Sequence, residues 1–153
     1  MLTEACNSPF SWQTFNEWKW GENYGLNMIH DFNNGAVAWT DWNVLLDETG
    51  GPNHVNNFCF APIHAKTKEG TLHYMNSYFY IGHFSKFIRP GAKRIISSSN
   101  RAQLLTTAFM NRDGKLAVIV MNPTREKFSY RMYIGKKAVE ATSLPHSIVT
   151  LVL

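Results

Sequence analysis

A chain of 153 residues, 44% hydrophobic and 17% charged, has material for one ordinary domain or two small ones and too little charge to stay disordered. Its formal charge of +4 comes with basic residues spread along the second half, from Lys86 to Lys137. No run among them is dense enough for a nucleic-acid arm, and no aromatic–basic repeat of the RNA-binding kind appears, so no nucleic-acid partner is expected.

The chain opens Met1-Leu2-Thr3-Glu4, then Ala5-Cys6 and the turn-prone Asn7-Ser8-Pro9. The switch from apolar to acidic predicts a strand end at Glu4 running into a loop. Met28, Ile29 and Phe32 then share one helical face, which predicts a helix ending near Asn33-Asn34, with Gly35 in the left-handed position beyond it. The consecutive apolar residues over 36–40 predict a second strand buried on both faces, as in a parallel sheet. A long loop over 44–57 contains Gly50-Gly51-Pro52-Asn53. A second helix is expected from Ser77, as its cap, through Tyr78, Ile81, Phe84 and Ile88, stopping before Pro90.

From Lys93 the rhythm changes to short runs rich in β-branched and aromatic residues: 94–98, 104–110, 116–121, 128–134, 139–143 and 148–153. Asn111-Arg112-Asp113-Gly114 marks a hairpin turn between the second and third. Runs of this kind predict an antiparallel sandwich over 89–153. Over 1–88, two parallel strands and two helices make a quarter of an eight-stranded barrel, and parallel strands need covered neighbours. This half is expected to be cut out of something larger.

Cys6 and Cys59 are too few and too far apart for a disulfide framework or a zinc site, and the six histidines show no i, i+4 pair, so neither metal nor cofactor is expected. The N-terminus lacks a leader pattern and no window approaches a membrane span, so no spanning segment is expected. A leader on a longer parent, cytoplasmic or secreted, stays open.

In a (β/α) barrel, catalytic groups sit where strands end, on the carboxyl face. Glu4 and the cluster Thr40-Asp41-Trp42-Asn43 would therefore share one rim, with the 50–58 loop leading back across it. A carboxylate, indoles and amides around one cleft suit a sugar: indoles stack on pyranose C–H faces, amides bond hydroxyls, and a carboxylate attacks the anomeric carbon. The alternative is a non-catalytic carbohydrate-binding or interaction module in which only the sandwich folds. Such a module would have no reason to keep Glu4, the 40–43 cluster and the 50–53 turn.

Four segments carry a resemblance: TEAC over 3–6, AWTDWN over 38–43, GGPNHVNNF over 50–58 and YIGHFSKFIRPGAKRI over 80–95. In that order they resemble glycoside hydrolase family 30, most nearly its glucosylceramidase branch. The resemblance implies the last strands and helices of a (β/α)8 TIM barrel, residues 1–88, followed by a β-sandwich, residues 89–153. It implies retaining hydrolysis of β-glucosides such as glucosylceramide. It makes Glu4 the nucleophile at the end of the seventh barrel strand and Trp42 an aromatic wall of the sugar pocket. Asn57 and Phe58 would border that pocket, Asp41 and Asn43 would support the eighth strand end, and Cys6 would pack. The family's acid/base glutamate lies in an Asn-Glu-Pro segment, and none occurs here; Glu17, in Asn16-Glu17-Trp18, does not match it. The expectation is a C-terminal fragment, inactive alone, whose natural complement is the N-terminal barrel segment.

Overall fold

The structure is a computed structural model and describes residues 4–153. It forms two compact units, Met1–Gly82 and His83–Leu153. The strand expected to end at Glu4 lies mostly outside the described residues.

In the first unit, α1 spans Lys19–Asn33 and buries Gly21, Tyr24, Gly25, Met28 and Ile29. These positions repeat at three- and four-residue intervals and so form one stripe. Gly21 is where the helix meets Tyr80: a Cβ there would stand 2.4 Å from the Tyr80 ring, so only glycine permits the approach. The helix ends as expected, with Gly35 at φ +94°.

Residues 36–40 do not form the expected strand. Trp39 makes a single bridge, and Val37 is 89% exposed. A parallel strand takes its hydrogen bonds from neighbours on either side, and no strand of the described residues pairs with this segment.

The loop region instead holds a small sheet. Strand β1 is Leu45–Asp47, β2 is Ile63–Lys66 and β3 is Thr71–Tyr74. β1 runs parallel to β2, with Leu46 opposite His64, and β2 pairs antiparallel with β3. Helix α2 follows over Asn76–Ser85. Ser77, expected as its cap, is buried inside the first turn, because the helix begins one residue earlier.

Aromatic residues fill this unit's interior. Phe10 stacks on His64 at 4.2 Å between ring centroids, Trp20 stacks on Phe60 at 4.7 Å, and Phe10 meets Phe60 edge-on at 5.0 Å. Packing accounts for these rings without any ligand.

The second unit follows the sequence closely. β4 (Lys93–Ile95), β5 (Leu105–Met110), β6 (Leu116–Asn122) and β9 (Ser147–Val152) form one sheet in the order β4-β5-β6-β9. β7 (Phe128–Ile134) and β8 (Lys137–Ser143) form a second. All pairings are antiparallel, and Asn111 N–H closes the expected hairpin on Lys115 O at 2.9 Å. Leu104, Ala108, Val118, Val120 and Phe128 make the core between the sheets.

Central β6 is buried on both faces, from Ala117 to Asn122. Within the second unit, Thr150 on neighbouring β9 donates its hydroxyl to His83 O at 3.1 Å. Asn111 Nδ2 likewise donates to Phe87 O at 2.9 Å and its Oδ1 accepts from Arg89 N–H, holding the segment after α2 to the hairpin. No helix interrupts residues 104–134.

Candidate active site

Glu4 is exposed and lies in irregular chain three residues before Asn7, which bridges antiparallel to Phe60. Two ties place this segment. The Trp42 N–H donates to Ala5 O at 2.7 Å, joining the residue after Glu4 to the residue after Asp41. The Cys6 and Cys59 sulfurs stand 3.1 Å apart, joining the same segment to the residues after Asn57 and Phe58. Glu4, Trp42, Asn57 and Phe58 are thus each within two residues of one of these ties.

Trp42 is 40% exposed, so part of its indole faces solvent. Asn43 follows in the left-handed region at φ 55°, a conformation that asparagine tolerates better than most residues and that turns the chain toward β1. Asp41 is half-buried and accepts the Tyr24 hydroxyl on Oδ1 at 2.8 Å. Its Oδ2 is buried with no partner among the described residues. Burial pushes the Asp41 carboxyl up to about 6, against the stabilising bond from Tyr24. Burial first, and then the Asp41 charge, push the Tyr24 phenol upward as well.

The 47–59 loop is held by its own side chains. Asp47 Oδ1 accepts from Thr49 N–H, the Thr49 hydroxyl and Gly51 N–H, at 2.8, 2.6 and 3.0 Å. Gly50 has φ +84°, and a Cβ there would stand 2.7 Å from Phe10 Cβ and 2.8 Å from Cys59 O, so the turn requires glycine twice over. Asn53 Oδ1 accepts from Val55 N–H at 2.8 Å and Asn57 N–H at 3.2 Å, while its Nδ2 donates to Asn57 O at 2.8 Å. Asn57 itself is exposed, and Phe58 is half-buried.

Beneath the loop lies His64, fully buried. Its Nε2 accepts from Ala61 N–H at 2.9 Å, so Nδ1 carries the proton and donates to Asp47 O at 2.8 Å. Burial lowers its pKa from the ordinary value.

Of the residues that hold this region together, Tyr24 and His64 carry no mark in the sequence. Tyr24 reads only as a helix-face aromatic, and a histidine 17 residues from its carbonyl partner has no recognisable spacing. Asn53 sits in the quoted loop motif, where an asparagine two residues before a backbone amide is a signal for such a turn. Glu17, set aside as acid/base, pairs with Lys19 at the surface. Among the described residues no group of three His, Cys, Asp or Glu side chains is placed to hold a metal ion. No described helix is long and apolar enough to cross a membrane.

Residues 1–88 match the glycosyl hydrolase family 30 TIM-barrel domain, and residues 91–151 match the family 30 beta sandwich domain. The lysosomal acid glucosylceramidase of Mus musculus is 33% identical over 128 residues, covering 81% of this chain and 25% of its own. The crystal structure of SrfJ from Salmonella typhimurium superposes with a TM-score of 0.94 at 33% identity, covering 99% of this chain and 34% of that one. An endo-β1,6-glucanase shares the fold at 22% identity, with a TM-score of 0.80 over 97% of this chain and 33% of its own. The chain therefore spans between a quarter and about a third of the length of these relatives. In sequence and in fold, as the closing part of a TIM barrel followed by a β-sandwich, it belongs to glycosyl hydrolase family 30.

Proposed function

We propose that this chain supplies the nucleophile and one wall of the sugar pocket of a retaining β-glucosidase acting on glucosylceramide or a related β-glucoside. Residues 1–88 serve as barrel segment and 89–153 as sandwich. The reading is supported by the two ties at Ala5–Trp42 and Cys6–Cys59, which join the chain segments that carry Glu4, Trp42, Asn57 and Phe58.

In this reading Glu4 attacks the anomeric carbon and forms a covalent glycosyl intermediate, which water then hydrolyses. The half-exposed Trp42 indole stacks on the pyranose face, and Asn57 bonds a sugar hydroxyl, while Phe58 closes the apolar side. Asp41 and Asn43 hold the rim rather than the sugar. Retention needs a second carboxyl about 5–5.5 Å from the first to protonate the leaving oxygen. These 153 residues contain no Asn-Glu-Pro segment to supply it. Loss of acid assistance alone removes roughly 10²–10⁴-fold in rate, and loss of substrate positioning removes more. The 153 residues alone are therefore inactive, and their complement is a barrel segment bearing the acid/base.

A fluorogenic β-glucoside assay tests this. The 153-residue chain gives no turnover, and the same chain preceded by the barrel segment of a family relative does. Glu4→Gln in the joined protein abolishes turnover. Robust hydrolysis by that Gln variant overturns the assignment of Glu4.

A further inference from the structure

Cys6 and Cys59 are separated by 53 positions in the chain, yet their sulfurs stand 3.1 Å apart. Both are free thiols. A disulfide bond is about 2.0 Å long, so closing the gap moves the two sulfurs together by only about 1 Å. Their surroundings differ: Cys59 is buried to 1% exposure, while Cys6 is half-buried and reachable from solvent. Leu46 and Ala61 pack around Cys59 and leave its sulfur facing Cys6. Such an arrangement divides the labour of a two-step oxidation, with an accessible sulfur to be attacked first and a sheltered one to resolve it.

We propose that Cys6 and Cys59 are a thiol–disulfide modification site, converted by a low-molecular-weight disulfide of the glutathione class into an intramolecular cross-link between the 4–6 segment and the 57–59 segment. In the first step the Cys6 sulfur attacks the small disulfide. A bond forms between Cys6 and one half, the original S–S bond breaks, and the other half leaves as a thiol carrying the Cys6 proton. In the second step the Cys59 sulfur attacks Cys6 and displaces the bound half, which leaves with the Cys59 proton. The protein loses two electrons and two protons, and the small disulfide gains both as two thiols.

Burial first, then the hydrogen bond and charge of Cys59 and the carboxylates of Asp41 and Glu4, push the Cys6 thiol up to about 12. Little thiolate is present near neutrality, so the first step is slow and the pair rests reduced until a disulfide is plentiful. The second step joins sulfurs already in contact and is fast, so the mixed disulfide does not accumulate. The site stands on the Cys6–Cys59 geometry and not on the role of Glu4, and its test requires no hydrolytic activity.

The experiment titrates the 153-residue chain with reduced and oxidised glutathione, in buffer and in concentrated urea, and reads trapped species by intact mass. Only two cysteines are present, so any intramolecular disulfide is Cys6–Cys59. The expected equilibrium constant for the cross-link is at least about 100-fold larger in buffer than in urea, because folding holds the sulfurs together. The wild-type chain shows loss of two hydrogens with no glutathione adduct, whereas Cys59→Ser stops at an adduct on Cys6. The urea midpoint read by tryptophan fluorescence rises on oxidation and returns on reduction. Equal constants in buffer and urea, an unchanged midpoint, or a wild-type chain that stops at the adduct overturns the proposal.

Discussion

The Tyr24 hydroxyl donates to Asp41 Oδ1 at 2.8 Å, and this bond fastens α1 to the segment that carries Trp42. It leaves Asp41 Oδ2 buried without a partner among the described residues, so ionising this carboxyl in the folded chain is costly.

A pH dependence follows. Asp41 has a folded pKa of about 6, above the ~3.9 of an unfolded aspartate. Its contribution is fully present below the unfolded value and is lost as pH rises through about 6. Asp41→Asn keeps an oxygen for Tyr24 and removes the charge. The variant is expected to gain stability relative to wild type between pH 4 and 6 and to hold that gain above. All five tryptophans, at positions 12, 18, 20, 39 and 42, lie in the first unit, so fluorescence-detected urea unfolding follows it alone. A stability difference that does not change with pH counts against the assignment.

His64 moves stability the other way. Its lowered pKa means that the unfolded chain takes up a proton first as pH falls below about 6.5. Protonating the folded state would turn the Nε2 acceptor into a donor facing Ala61 N–H. Ring ¹⁵N resonances are expected to show neutral His64, protonated on Nδ1, at pH 7, and to change only below the ordinary histidine range. A His64 that titrates together with the unfolded chain would refute the bonding scheme.

The second unit was readable from the sequence almost strand for strand, because each run is short, rich in β-branched or aromatic residues and bounded by its own turn residues. The β5–β6 hairpin needs only Asn111 to Gly114 to fix its register. The first unit was readable only in its helices. Strand β1–β3 segments are three or four residues each, and Thr67-Lys68-Glu69 between β2 and β3 gives little warning before Gly70. Residues 36–40 have a strand's composition, but no strand among the described residues pairs with them. For the site, Glu4, Trp42 and Asn57 were named from motifs, while Tyr24, His64 and the Cys6–Cys59 contact depend on separations that no local pattern encodes.

Asn122 anchors the sandwich and offers a stability test there. Fully buried, it donates to Glu126 O and Leu144 O at 2.7 and 2.9 Å and accepts from Thr124 N–H and the Thr124 hydroxyl at 3.0 and 2.8 Å. Asn122→Ala removes all four hydrogen bonds from a buried side chain and is expected to cost about 2–4 kcal/mol. Circular dichroism follows its unfolding, since tryptophan fluorescence does not report on this unit. A loss below about 0.5 kcal/mol, the scale of an ordinary surface change, would contradict the role given to the network.

Association is expected of the 153-residue chain on its own. Val37, Val44 and Ile96 are 89, 71 and 92% exposed, and an apolar-lined cleft of about 610 Å³ opens beside Leu104, Val118 and Met132 in the second unit. Exposed apolar surface of this kind seeks cover. Sedimentation velocity is expected to show oligomers that grow with concentration, and a compact monomer at every concentration would refute this.

The last prediction concerns Asn53, whose three hydrogen bonds hold the loop that presents Asn57 and Phe58. None of these bonds reaches a substrate directly, so the residue acts through the loop's shape. In the joined, active protein described above, Asn53→Ala is expected to lower kcat/KM roughly 10–100-fold, because misplacing a positioning group by about 1 Å can cost as much as 10²-fold. Asn53→Asp keeps the oxygen that accepts from Val55 and Asn57 but replaces the amide donor with a carboxylate oxygen facing Asn57 O. Its loss is expected to fall between those of wild type and Asn53→Ala. On the role proposed for Glu4, the covalent glycosyl intermediate is expected to form in both variants, since neither change touches that carboxylate, and it can be trapped with a slow-leaving substrate analogue and located by peptide mass. Full activity in Asn53→Ala would sever the link between the loop and the sugar. Intermediate trapped on a residue other than Glu4 would instead overturn the nucleophile, so the two failures are told apart by one experiment.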